Sequence, residues 1–157
     1  MLGLRNNAVK NKSSHNKFCI SVDTSIWRLN MEIKGIHIAK CHCGAVELEL
    51  TLPNGLEDPR RCSCSMCRKR GAIAASVLLE NLKIIKGEDN LTLYQFNTNT
   101  AKHYFCKTCG IYTHHQRRSN PHQFAINVAC LDGVNPYDLE PVKIYDGINH
   151  PTDTINL

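Results

Sequence analysis

No stretch of the 157-residue chain approaches the roughly 20 consecutive apolar residues of a membrane-spanning helix, and its start lacks the apolar centre of a secretory signal. The first absence excludes a helical membrane protein. The second removes the reason to expect an oxidising compartment, where disulfides persist. Internal repeats are missing and helical periodicity is scarce. No β-α-β pattern surrounds any cysteine pair, so a thioredoxin-like redox dithiol lacks its context. Hydrophobic residues at 42% and charged residues at 21% are ordinary for a soluble domain, and the length suits one domain rather than two.

The net charge of +5 points to nucleic acid only until its distribution is read. Residues 1–34 hold Arg5, Lys10, Lys12, Lys17, Arg28 and Lys34 against Asp23 and Glu32, a net of +4, which leaves +1 for the rest. A phosphate-binding surface is not indicated, and nucleic acid is an unexpected partner.

What the chain does have is cysteine, nine of them. Cys41 and Cys43, then Cys62, Cys64 and Cys67, then Cys106 and Cys109 stand one or two residues apart. Short loops of that kind aim several sulfurs at one centre, which is metal-ligand spacing rather than a disulfide framework. Cys19 and Cys130 stand alone and read as free thiols or small buried apolar residues. A reducing, cytoplasmic location is expected.

Residues 1–33 read as a disordered or accessory leader, rich in Asn, Ser and Lys, with Met31 as an alternative start; residues 34–157 read as the zinc-binding domain. In that domain Val46, Leu48, Leu50 and Leu52 alternate with Glu47, Glu49 and Thr51, the pattern of a half-buried strand. Further strands are expected over 73–78, 82–86, 91–97, 102–105, 111–114, 124–128 and 142–145. Loops are expected over 53–61 and 86–90, and a helical turn over 135–139. The fold class is mainly β, with little helix.

Cys106-x-x-Cys109-Gly110 has the form of a zinc knuckle, and Cys41-x-Cys43-Gly44, which also ends in glycine, is its natural partner. Four cysteines close a tetrahedral shell, so this site is structural. Cys62, Cys64 and Cys67 supply three thiolates and leave a fourth position. An exchangeable ligand there gives a catalytic centre; His42, one of His103, His114 and His115, or a lone cysteine closing the shell gives a second inert one. An iron-sulfur cluster is a further possible occupant of such thiolates.

The order Cys41-x-Cys43-Gly44, Cys62-x-Cys64-x-x-Cys67-Arg68-Lys69 and Phe105-Cys106-x-x-Cys109-Gly110 resembles the glutathione-dependent formaldehyde-activating enzyme family, which includes a centromere protein. The segments 101–105, 114–121, Ile126-Asn127-Val128 and Asp146-Gly147 share the likeness, which covers about residues 36–150. The resemblance implies a β-tent of short antiparallel sheets pinned by zinc. It implies a structural zinc on Cys41, Cys43, Cys106 and Cys109 and a catalytic zinc on Cys62, Cys64 and Cys67, two per chain. The implied activity is that of a carbon-sulfur lyase, forming or cleaving the bond in an adduct of glutathione or another small thiol, such as S-hydroxymethylglutathione. His103 and His114, with His115, are candidate acid-base residues, and Arg117 and Arg118 are either carboxylate partners of glutathione or a solvated loop. The alternative is a noncatalytic zinc module for protein or nucleic-acid partners, to which Arg60, Arg61, Arg68, Lys69 and Arg70 would present a basic patch.

Overall fold

The computed structural model describes residues 33–150; apart from Ile33, the expected leader, with Cys19 and Met31, lies outside the described residues. Strands β1 (Gly35–Lys40), β2 (Glu47–Leu52) and β5 (Leu82–Lys86) form a three-stranded antiparallel sheet in the order β1-β2-β5. The alternation read in β2 is realised: Leu48, Leu50 and Leu52 are buried, and Glu47, Glu49 and Thr51 are partly exposed. The other strands are β3 (Glu57–Cys62), β4 (Ala74–Leu78), β6 (Leu91–Tyr94), β7 (Lys102–Cys106), β8 (Tyr112–Gln116), β9 (Gln123–Asn127) and β10 (Lys143–Tyr145). They form a second sheet in the order β10-β3-β4-β9-β8-β7-β6. Among the described residues the only α-helix is α1 (Ser65–Arg70), with 3-10 turns at Leu79–Asn81, Glu88–Asn90, Val128–Cys130 and Pro136–Leu139. The protein is mainly β, and none of its described helices is long and apolar enough to cross a membrane.

The two sheets meet over one core. Leu48 and Leu50 of the small sheet, with Val46 just before it, pack in a cluster with Ala75 and Ile126 of the large one and Val128 just after β9, closed by Leu131 and Leu139. Strand β4 divides the faces: Ala75 and Val77 are buried in that core, while on the opposite face Ala74 lines a cavity and the Ser76 hydroxyl meets Arg60. At the turn into Glu88–Asn90, Gly87 has φ +73°, and a Cβ there would lie 2.0 Å from the Ala45 carbonyl oxygen. Only glycine fits where this turn meets the loop after Cys43.

Three sequence expectations are corrected. The loop expected over 53–61 contains β3, a strand concealed by its polar sequence EDPRRC. Asp58, with φ 51°, and Pro59 fall where its register with β4 shifts, and a proline without an N–H is tolerated at such a bulge. The strand expected to run to Asn97 ends at Tyr94, because Asn97 and Asn99 both take positive φ. The pairing is not wholly antiparallel, since β10 lies parallel to β3 and places Tyr145 beside Cys62.

Candidate functional site

Two hairpin turns, one from each sheet, carry the first cysteine cluster. Cys41 and Cys43 lie between β1 and β2, Cys106 ends β7 and Cys109 lies between β7 and β8, and their ligand atoms all lie within 4.8 Å of one another. The Sγ separations are 3.6 Å for Cys41 to Cys43 and 3.7 Å for Cys43 to Cys106. A regular tetrahedron with metal-sulfur bonds of about 2.3 Å has edges of about 3.8 Å, so these residues fit a four-thiolate metal ion. The surroundings favour thiolate: the N–H of Val46 donates to Cys41 (3.3 Å) and the side-chain amide of Asn90 to Cys106 (3.3 Å). Gly44 and Gly110 adopt φ +70° and +72°, which turns the next residues' N–H groups, those of Ala45 and Ile111, toward Cys43 and Cys109. Against desolvation, the amides of Ile111 and Cys43 and the neighbouring thiols hold Cys109 down to about 6, whereas against the Ala45 amide, desolvation and the other three thiols push Cys43 up to about 11.

The second cluster is built on one strand end and one helix start. Cys62 ends β3, Cys64 is the N-cap of α1 and accepts the N–H of Cys67 (3.4 Å), and Cys67 lies in the first turn. Gly71, at φ 70°, ends the helix with its N–H on the Cys67 carbonyl. The three ligand atoms lie within 4.8 Å of one another, and among the described residues no His, Cys, Asp or Glu joins them as a fourth. Their charge is shared unevenly. The thiols of Cys62 and Cys67 hold Cys64 well below the ordinary thiol range, and Cys62 and Cys64 push Cys67 above it. Two thiolates cannot easily coexist at this distance without a cation. The segment after β10 covers the group: the Ser63 N–H donates to the Tyr145 carbonyl, the Gly147 N–H donates to Ser63 Oγ, and a Cβ on Gly147 would stand 2.4 Å from Cys62 Sγ.

This triplet opens on a cavity of about 510 Å³. Five arginines line it, Arg60, Arg61, Arg70, Arg117 and Arg118, together with His103, His115, Tyr112, Phe96 and Asp146.

Residues 36–145 match the family described as glutathione-dependent formaldehyde-activating enzyme. The chain belongs to that family. A crystal structure of a Rhodobacter sphaeroides protein is 62% identical, over 69% of this chain and 99% of that chain, with a TM-score of 0.67. A glutathione-related, formaldehyde-activating role therefore comes with the family.

The histidines are sorted by one β-bulge. Tyr104 pairs with His114 but Phe105 with Tyr112, so Thr113 is an extra residue in β8. The insertion brings Tyr112 to the cavity face with His115, whose Nδ1 it meets at 2.5 Å, while its hydroxyl also donates to the Ala125 carbonyl. His103 and His115 lie on that face with ring centres 4.9 Å apart. His114 is stacked on Tyr104 and lines a separate cavity of about 440 Å³ between the sheets. Of the expected acid-base residues, His103 is thus brought to the triplet's cavity and His114 is not. Arg70, three residues after Cys67, lies 3.6 Å above the Tyr112 ring and donates to His103 Nδ1 at 3.2 Å. Desolvation first, and Arg70 second, lower His103 to about 4; desolvation alone takes His114 to about 4. Because guanidinium is always a donor, Nδ1 accepts and the ring proton of neutral His103 resides on Nε2.

The basic residues near the triplet also divide. Arg68 and Lys69 are exposed, whereas Arg61 bonds Glu140 and the Gly71 carbonyl, and Arg60 is only 7% exposed. Arg117 is not in a solvated loop: it is half-buried, bonded to Ser76 and Gln123. Arg60, Ser76, Tyr112 and Gly147 carry no cysteine-like signal in the sequence, and only the fold assembles them.

Proposed function

We propose that this family member is a zinc-dependent carbon-sulfur lyase that makes or breaks the bond between the glutathione sulfur and a one-carbon electrophile, as in S-hydroxymethylglutathione. The observation that carries the reading is that Cys62, Cys64 and Cys67, three thiols without a fourth protein ligand among the described residues, open on the arginine-lined cavity that also holds His103. Zinc suits both clusters by its preference for sulfur, and at the triplet it supplies Lewis acidity toward a thiol and a carbonyl. In the forward direction the sulfur-carbon bond forms, the carbonyl π pair moves to oxygen, and the thiol proton ends on that oxygen.

The chain's own residues set the conditions for this step. His103, neutral and protonated on Nε2, offers a hydrogen bond to the oxygen on which charge develops. Arg70 fixes that tautomer and holds Tyr112 by its ring face. The cationic wall attracts an anionic thiol, and Phe96, stacked on His103, gives the cavity an apolar side.

Cobalt-loaded protein titrated with glutathione tests the reading, since visible bands report a change of ligand at a thiolate site. The expected result is a saturable spectral change in wild type that is lost in Cys64→Ser. Spectra indifferent to glutathione would instead support a noncatalytic metal module.

A further inference from the structure

Two of the arginines that line the cavity, Arg60 and Arg117, meet behind its wall on one buried hydroxyl. Ser76 on β4, 4% exposed, accepts two hydrogen bonds at once, from Nη1 of Arg60 and from Nη1 of Arg117, each at 2.8 Å. Both hydroxyl lone pairs are thereby used, and the remaining capacity of Ser76 is its own proton, as a donor. Two guanidinium groups gathered on one hydroxyl is an unfavourable arrangement unless negative charge is near.

One carboxylate is near, and it is occupied. Asp58 Oδ2 pairs with Arg60 at 2.9 Å and Oδ1 accepts the Tyr145 hydroxyl at 2.9 Å. Asp58 adopts its left-handed backbone beside the β3 bulge, and the Arg60 Nη1 bonds both its carbonyl and its carboxylate. Every bond found for Arg60 leaves from Nη1, so the Nη2 and Nε donors have no acceptor among those bonds. Arg117 is bonded to neutral acceptors, Ser76, Gln123 and Ser119, and forms no ion pair with a carboxylate among the described residues. Desolvation, and then repulsion from Arg60, lower the Arg117 pKa, and the attraction of Asp58, which is shared with Arg60, offsets this only in part.

We infer that Arg60, Ser76 and Arg117 form a carboxylate-binding subsite that holds a carboxylate of the thiol substrate while its sulfur lies at the triplet. The inference rests on the proposed function for the sulfur end and on geometry alone for the anion end. It makes the enzyme selective for thiols that carry a carboxylate at a distance from sulfur, and it rejects simple thiols such as cysteamine, which has no carboxylate and carries an ammonium group that the two guanidinium groups repel. The bulge in β3 is then a functional device: it brings a buried arginine to the cavity wall and gives it a carboxylate that satisfies only part of its donor edge.

Calorimetry with S-methylglutathione, which keeps both carboxylates but has no free thiol, tests the anion end by itself. Arg117→Gln is the first variant because Arg117 is half-buried, whereas Arg60 is built into the fold; Ser76→Ala is the second, with melting curves as a folding control. The expected result is a Kd weakened about tenfold to a hundredfold in Arg117→Gln, and weakened in Ser76→Ala. The dimethyl ester of S-methylglutathione is expected to bind wild type as weakly as the parent binds Arg117→Gln. No measurable binding of S-methylglutathione to wild type, an unchanged Kd in folded Arg117→Gln, or equal binding of the ester would overturn the subsite. Arg117-dependent binding together with a cobalt spectrum indifferent to glutathione would uphold the subsite and overturn the carbon-sulfur reading.

Discussion

Replacing Cys106 with serine is expected to abolish the cooperative unfolding transition at physiological temperature. Cys106 is 1% exposed, ends β7, and stands 3.7 Å from the Cys43 sulfur, 63 residues earlier in the chain. The four-cysteine cluster therefore fastens the small sheet to the large one at the end of their shared core. Structural zinc contributes about 10–16 kcal/mol in small metal-dependent domains. A domain's net stability is only about 5–15 kcal/mol, so a loss of that size matches or exceeds the whole margin. Circular dichroism during thermal and urea denaturation reads the result. A midpoint within a few degrees of wild type would mean that the apolar core alone joins the sheets.

The second large effect is expected from one added methyl group. Gly147→Ala would place its Cβ 2.4 Å from Cys62 Sγ, 2.9 Å from Cys64 Cβ and 3.2 Å from Cys64 N, and the 2.4 Å and 2.9 Å separations are too close to persist. The covering segment and the triplet must part, and misplacement of reacting groups by about 1 Å costs on the order of a hundredfold in rate. Metal content is expected to fall by one ion per chain and turnover of S-hydroxymethylglutathione by at least about a hundredfold. The unfolding midpoint should change little, because the segment over 146–150, in which no residue is fully buried, contributes nothing to the apolar core. Full metal content and activity in Gly147→Ala would show that the segment moves aside without disturbing the cysteines.

The parts of this protein legible in its sequence are those whose physics is local. Alternation along Glu47–Leu52 reports a half-buried strand because side chains alternate faces, and the cysteine spacings report two ligand sets because short turns converge sulfurs. How the residues around the triplet assemble into one cavity was not legible, because each placement depends on a register irregularity or a distant approach. Arg60 follows a bulge in a strand whose sequence reads as loop, and Tyr112 shares a face with His115 only through the extra residue Thr113. His114 and His115 look equivalent in the sequence, and the strand sends them to opposite faces. Gly147 reaches the triplet through the parallel pairing of β10 with β3, which no local pattern announces. Helix α1, six residues long, was missed because Ser-Met-Cys-Arg-Lys-Arg has no buried residue to create an apolar period.

Metal per chain, measured by elemental analysis on wild type and on Cys64→Ser purified without added metal or chelator, tests the account most directly. Two clusters of different closure predict two zinc ions in wild type, one of them leaving first under mild chelation, and a single zinc ion in Cys64→Ser. One zinc ion in both proteins, or a wild type whose first ion to leave comes from Cys41, Cys43, Cys106 and Cys109, would contradict it.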